Sequence, residues 1–334
     1  DLAKSVFQVH GALRTGEVQF RKKLTRTQFS LFMAQQQPSR VIFEACGGAH
    51  YWAHEMGALG HEVKLIAPQY VRPFVKRQKN DAADAEAIVI AARQPEMRFV
   101  EPKTVEQQSR AAVFRGRERL VHQRTADVNA LRTLLHETGH VFPQGIRSLS
   151  RMKALVEDDT SDLHSLIREE CIDLLAQIAE KTARIIERTT RLKALADESH
   201  RARRLQTMPV VGPITAIAAE AFGSDMAVFT TGRNFAAWPG LVPRQHSSGG
   251  KERLGRMTKA GQADIRRLLI IGAMSRLNWF GVRSVTEGSW RSRMLARKPK
   301  MLVAIALANK MARQIWAMLT KHEDYKDPEL ANLA

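Results

Sequence analysis

Apolar and polar positions alternate with a period of two at the start of the chain, where Val6, Gln8 and His10 interleave with Phe7 and Val9. That period predicts a strand. Arg14-Thr15-Gly16 predicts a turn and Val18-Gln19-Phe20 resumes the strand, so residues 1–24 read as a strand pair. The period then changes. Thr25 or Thr27 can cap a helix that carries Phe29, Phe32 and Met33 and stops at Pro38-Ser39. Arg40 to Phe43 reads as a buried strand, followed at once by Glu44. A helix then carries Tyr51, Trp52 and Met56 towards Gly60, and His61 to Ile66 reads as another strand. Strands alternating with helices predict a mixed or parallel sheet in an α/β domain. Asn80 can cap a further helix, Asp81 to Ala92, rich in alanine and isoleucine.

After a short linker near Pro102 the pattern becomes helical. Residues 107–139 hold few breakers, and Pro143-Gln144-Gly145 interrupts them. Over residues 161–200, Ile167, Cys171, Leu174, Ile178, Ile185, Leu192 and Leu195 recur near a heptad spacing. Lys181 and Arg188 break that seam, which predicts an antiparallel helix pair or a short imperfect coiled coil rather than a long rod. In the last third, Leu205 to Met208 runs into Pro209-Val210-Val211-Gly212-Pro213, and a helix follows from Ile214 to Phe222. This segment resembles a helix-hairpin-helix, whose amides hold a DNA phosphate, with Val210 where a glycine is usual. As a plain connector it needs no ligand. A glycine-rich interruption spans Trp238 to Lys251, and two helices close the chain, Ala263–Leu277 and Lys300–Leu319. The pattern divides the chain into residues 1–105, 106–200 and 201–334.

Length is consistent with that division, since 334 residues suggest two or three domains. The longest apolar run, Met301 to Ala308, is far short of the ~20 residues a membrane span needs. The chain opens Asp1-Leu2-Ala3-Lys4, without the apolar stretch of a signal peptide. Two cysteines, Cys46 and Cys171, exclude a disulfide scaffold and a zinc ribbon and fit a reducing compartment. Charge changes the picture more. The chain carries a net charge of +18, divided as +5 over residues 1–105, 0 over 106–200 and +13 over 201–334. An excess concentrated in one third points to a polyanionic partner, most often nucleic acid.

Four carboxylates stand out by position. Asp1 begins the first strand, Glu44 ends a central strand, and Asp81 and Asp84 share one face of a helix at i,i+3. Converging carboxylates from separate elements suit divalent cations, and hard oxygen donors favour Mg2+ or Mn2+ over zinc. Each acid alone reads equally as a helix-dipole partner or a solvated loop residue. The glycine-rich segment is not a phosphate-binding P-loop. Glu252 follows Gly250-Lys251 where Ser or Thr is required, and Gln245 stands where the first glycine belongs. It does place the hydroxyl of Ser248 among the cations Arg244, Lys251, Arg253, Arg256 and Lys259. Cations there would stabilise charge developing on a phosphodiester, whereas a basic loop that only touches phosphates needs no such chemistry. An actin-like kinase, whose fold also starts with an Asp after a strand, fits neither the failed P-loop nor the basic C-terminal third.

Taken together, these motifs resemble the IS-one-ten family of insertion-sequence transposases. The residues that carry the likeness are Asp1-Leu2-Ala3-Lys4, Phe43-Glu44-Ala45 and Asn80-Asp81-Ala82-Ala83-Asp84-Ala85. In the last third they are Trp238-Pro239-Gly240-Leu241-Val242-Pro243-Arg244, Ser247-Ser248-Gly249, Gly255 to Gly261 and Arg266-Arg267-Leu268. The double serine resembles the IS-one-triple-one branch. The resemblance implies a fold of α/β plus α type: an RNase H/RuvC-like N-terminal domain, a helical coiled-coil-like linker that oligomerises, as a dimer or tetramer, and a mostly helical C-terminal transposase domain. It implies that Asp1, Glu44, Asp81 and Asp84 form a DEDD set holding Mg2+ or Mn2+. In that family's pattern the first strand extends upstream of Asp1. The pattern Pro-Arg-x-x-x-Ser-Gly, starting at Pro243, places the catalytic serine on Ser248, with Ser247 the adjacent alternative. The implied function is that of a cytoplasmic, nucleoid-associated bacterial recombinase. Such an enzyme cuts and rejoins donor and target DNA through a phosphoserine link, guided by an element-encoded bridge RNA. Arg244, Lys251, Arg253, Arg256, Lys259, Arg266 and Arg267 are the expected nucleic-acid contacts. Metal and serine lie far apart in sequence, so the expected site is composite. The competing expectations are a RuvC-like nuclease or junction resolvase using water, and a nucleic-acid-binding protein without activity.

Overall fold

A computed structural model describes residues 1–76, 80–223, 225–279 and 288–326. The chain divides into two compact units, Asp1–Glu106 and Gln107–Ala334. Among the described residues no helix is long and apolar enough to cross a membrane.

The first unit opens with an antiparallel hairpin, β1 (Val6–Ala12) and β2 (Val18–Thr25), in which Phe7 faces Leu24 and His10 faces Arg21. Thr25 ends β2 and starts α1 (Arg26–Ala34). Its side chain accepts from the Gln28 amide while the Gln28 side chain accepts from the Thr25 amide, a capping box. A parallel pair follows, β3 (Arg40–Glu44) and β4 (Glu62–Ile66), joined through α2 (Ala49–Ala58). Next come α3 (Pro68–Val71), α4 (Asp81–Ala92) and β5 (Phe99–Val100), the last antiparallel to β4. Phe7, Phe29 and Trp52 meet edge to face with ring centroids 4.9–5.3 Å apart and hold the hairpin, α1 and α2 in one core. The buried face of α4 is Ala85, Ala87, Ile88 and Ala91. Small side chains let that helix lie close on β1 and β3, which is what carries its first turn towards the ends of both strands. Between β1 and β3 runs a cleft of about 940 Å³, with Asp1, Gln8, His10, Val41, Phe43 and Ile88 among its walls.

The second unit is mainly helical. It takes nearly all of α5 (Val105–Glu137), then α6 (Leu149–Glu157), α7 (Ser165–Glu198), α8 (His200–Gln206), α9 (Pro213–Phe222) and α10 (Gly232–Ala237). A hairpin of β6 (Pro243–Gln245) and β7 (Leu254–Met257) precedes α11 (Ala263–Trp279), α12 (Trp290–Leu295) and α13 (Lys300–Lys321). α5 and α7 run antiparallel, since Arg117 donates to Thr189 at 2.9 Å while Asp127 pairs with Lys181 at 3.0 Å. Their seam buries Val128, Leu131 and Leu135 against Cys171 and Ile178, with Met152 and Val156 of α6 closing it. Beyond that end, Ala111 and Phe114 of α5 join Leu192 and Ala196 of α7 in the larger core built by α9, α11 and α13. Within the unit, the helical middle of the chain and the C-terminal third therefore share one core. The segment read from sequence as a glycine-rich interruption is a two-stranded hairpin, exposed along its length from Pro243 to Arg256.

Candidate active site

In the first unit, three of the four sequence-selected acids converge. One carboxylate oxygen from each of Asp1, Asp81 and Asp84 lies within 4.8 Å of the others. Asn80 sets the helical pair in place: its Oδ1 accepts from the Ala83 amide at 2.9 Å and its carbonyl accepts from the Asp84 amide at 2.9 Å. That cap starts α4 at Asp81 and turns both aspartates out of its first turn. Asp1 is tied to β1 by a pair of bonds: its amino group donates to the Gln8 carbonyl at 2.8 Å, and its carbonyl accepts from the Gln8 amide at 3.2 Å. Glu44, at the C-terminal end of β3 and half-buried, is outside the 4.8 Å set. Three of the four acids are thus gathered at one locus.

The donor set fits a hard divalent cation. It is all carboxylate oxygen, and octahedral bonds of ~2.1 Å place neighbouring ligand atoms ~3 Å apart, so a pair at the 4.8 Å limit would close by about 2 Å on binding.

In the second unit the hairpin fixes the serines. β6 and β7 pair Gln245 with Leu254, and beyond the strands Ser248 bridges to Lys251. The Lys251 amide donates to the Ser248 carbonyl at 3.1 Å, and Gly249 and Gly250 take φ of +55° and +75°. Two consecutive left-handed residues make a tight hairpin turn that only glycine adopts at little cost. The Ser247 hydroxyl accepts from the Arg253 amide at 3.1 Å, so it belongs to the hairpin's own bonding. Ser248 is exposed and, among the described residues, no hydrogen bond engages its hydroxyl. Arg244, Lys251, Arg253, Arg256 and Lys259 are all exposed, Lys251 and Arg253 near the tip and the other three towards the root of the hairpin. Arg244 also donates to the Thr258 carbonyl at 3.4 Å.

Arg266 and Arg267 are engaged differently. Arg266 Nη1 donates to the carbonyls of Pro239 at 2.7 Å and Ala260 at 2.8 Å, which staples together the two strands of chain that enter and leave the hairpin. They cross so closely that a Cβ on Gly261 would lie 1.7 Å from the Trp238 carbonyl oxygen. Arg267 bonds to Glu118 of α5, a buried carboxylate that Arg117 also holds. Neither the Ser247 bond nor the Glu118 pairing has a signal in the sequence, because both partners are distant in the chain or polar in an already polar stretch.

Two family profiles match the chain. One, for DEDD transposases of the IS110 type, described as "Transposase", covers residues 1–140; the other, "Transposase IS116/IS110/IS902 family", covers residues 202–287. The probable family 20 transposase of Pseudomonas aeruginosa is 42% identical over 98% of this chain and 97% of its own length. The transposase for insertion sequence element IS1328 of Yersinia enterocolitica is 38% identical over 96% of each chain. The transposase for insertion sequence element IS1111A of Coxiella burnetii is 37% identical over 98% of this chain and 90% of its own. The chain belongs to the IS110/IS116/IS902 transposase family. The two matched regions of this transposase each contain one candidate centre, the acids in residues 1–140 and the serine hairpin in residues 202–287. Its substrate class is accordingly DNA.

Proposed function

We propose that this transposase cuts and rejoins insertion-sequence DNA through a phosphoserine intermediate formed by Ser248, with Asp1, Glu44, Asp81 and Asp84 holding divalent metal. The observation that carries the reading is the pair of prepared centres: an all-oxygen acidic cluster and an unengaged serine at the tip of a basic hairpin. Metal bound at the cluster, Mg2+ or Mn2+, would supply charge neutralisation at the scissile phosphate and its leaving oxygen. Ser248 forms the bond to phosphorus, and the ester it makes preserves the phosphodiester energy for rejoining. Arg244, Lys251, Arg253, Arg256 and Lys259 hold the backbone, while Arg266 positions the hairpin. The parallel β3–β4 pair, the β1–β2 hairpin and the acids at a strand end and a helix start support an RNase H/RuvC-like arrangement for the first unit. The family resemblance supports a bridge RNA as guide, and the +13 of residues 201–334 suits either nucleic acid. We also assign self-association to the outer face of α7, where Ile172, Ala176, Ala179, Ala183 and Ile186 stand exposed at alternating steps of four and three.

The test is a trapping assay with element-end DNA, the flanking RNA and Mg2+. A denaturing gel should show a protein–DNA adduct that Ser248→Ala loses and Ser247→Ala keeps. Cleavage without an adduct would favour the water-using nuclease instead. Asp81→Asn with Asp84→Asn should abolish cleavage with folding intact; retained cleavage would remove the metal from the mechanism.

A further inference from the structure

We infer that Lys251 is a catalytic residue whose ammonium contacts the non-bridging oxygens of the scissile phosphate while Ser248 attacks it. The inference rests on Ser248 as nucleophile and assigns that centre a second reacting-site group. Ser248 and Lys251 are the last cross-strand pair of the hairpin, closed by the Gly249-Gly250 turn. Residues directly opposite in such a pair stand on the same face with Cβ atoms ~4.5–5.5 Å apart. The register extends from Gln245–Leu254 to Ser248–Lys251 without a slip, so the pleat sorts the tip into two faces. Ser248, Lys251, His246 and Arg253 share one; Ser247 and Glu252 share the other.

The sorting decides the chemistry. The only carboxylate of the tip is on the face away from Ser248. His246 leans towards the root of the hairpin, since its ring lies where a Cβ on Gly255 would come within 2.9 Å. The residue directly opposite the serine on this face is therefore a lysine.

In the step, the Oγ–phosphorus bond forms as the bond from phosphorus to the deoxyribose oxygen breaks. The serine proton passes to solvent, and the departing deoxyribose oxygen takes one from solvent. The five-coordinate transition state carries extra negative charge on the non-bridging oxygens, and a fixed cation there stabilises it more than the ground state. Resealing is the same step reversed, so Lys251 accelerates both.

The full chain is assayed with element-end DNA, flanking RNA and Mg2+, following adduct formation over time. Lys251→Met should slow the adduct by ~10²–10³-fold, the scale of losing one transition-state donor. Its DNA affinity should fall by less than about tenfold, as for one phosphate contact. Lys251→Arg should recover most of the rate, and Glu252→Gln should match wild type. The decisive arm replaces the scissile phosphate with a methylphosphonate, which removes the charged oxygen. On that substrate wild type and Lys251→Met should form adduct at the same rate, a convergence that a structural role would not produce. A wild-type rate for Lys251→Met on the phosphodiester, or an undiminished gap on the methylphosphonate, overturns the inference and leaves the serine reading intact. An adduct that survives Ser248→Ala overturns the serine reading, and Lys251 with it.

Discussion

Val210 holds a backbone φ of +67°, in the left-handed region that β-branched residues avoid. It sits between α8 and α9 where the sequence suggested a hairpin loop with a glycine, so the conformation is the one a glycine would take, adopted by a valine. Its side chain is only partly covered, and the strain costs ~1–2 kcal/mol. Val210→Gly should raise stability in chemical denaturation by about 1 kcal/mol, less the entropy glycine adds to the unfolded chain. A lower midpoint would mean that Val210 contributes more by contact than it loses in strain. Arg266 is the contrasting residue. Its two bonds to the Pro239 and Ala260 carbonyls fasten the base of the serine hairpin. Arg266→Ala should cost about 1–3 kcal/mol, because charged hydrogen bonds are lost from a partly buried site. It should also speed amide exchange at Arg253 and His246, and Arg266→Lys should not restore protection, since one ammonium lacks the planar fork. The sequence placed Arg266 and Arg267 among the expected nucleic-acid contacts, as part of the family resemblance. Whether a cation faces solvent or a carbonyl depends on partners such as Pro239 and Glu118 that proximity in sequence does not reveal.

At the scale of elements, what was legible depended on how much apolar surface each element buries. The Asp81–Ala92 helix was readable to the residue, since Asn80 caps it and its alanines and isoleucines form its buried face. The β3–β4 pair was readable for the same reason, whereas the largely exposed β1–β2 hairpin was readable from its period-two alternation and the Arg14-Thr15-Gly16 turn. The β6–β7 hairpin was not. Its strands are three and four residues long and exposed, so no apolar alternation marks them, and the segment read only as a glycine-rich interruption. The α7 seam was readable in Cys171, Ile178, Ile185 and Leu192, all buried. Lys181 looked like a break in it. In the structure Lys181 meets Asp127 of α5 at 3.0 Å, and both side chains are only 17% exposed. The pair thus sits within the α5–α7 contact and specifies that these helices lie antiparallel with this alignment. Breaking one partner leaves the other charge poorly solvated, so Asp127→Ala should cost about 2–4 kcal/mol by urea denaturation, while Asp127→Leu with Lys181→Leu should cost less than either single change. If the double variant were the least stable, the pair would be a net source of stability rather than of alignment. The opposite face of α7 makes a separate prediction. Ile172→Lys with Ile186→Lys should lower the mass seen by analytical ultracentrifugation without lowering the melting temperature, since both side chains are more than half exposed.

For the whole molecule the governing quantity is where the charge lies. Residues 106–200 are neutral overall and residues 201–334 carry +13. The α5–α7 scaffold therefore adds no long-range field, and attraction for DNA concentrates in the part of the chain that holds the serine hairpin. Polyelectrolyte binding makes this measurable. Each phosphate neutralised releases condensed counterions, so the logarithm of affinity falls with the logarithm of salt at a slope of about −0.9 per contact on duplex DNA. The serine hairpin and its base carry five exposed cations, namely Arg244, Lys251, Arg253, Arg256 and Lys259. If four or five of them touch phosphates, fluorescence anisotropy with element-end DNA between 50 and 200 mM salt should give a slope that flattens by ~0.9 for each one changed to glutamine. Arg267→Gln should leave the slope nearly unchanged, because that guanidinium is tied to Glu118 rather than offered to phosphates. The comparison separates field from contact. A uniform shift in affinity with no change of slope would mean that these residues shape the hairpin rather than neutralise DNA. Equal flattening by Arg267→Gln would mean that Arg267 leaves Glu118 to meet the nucleic acid.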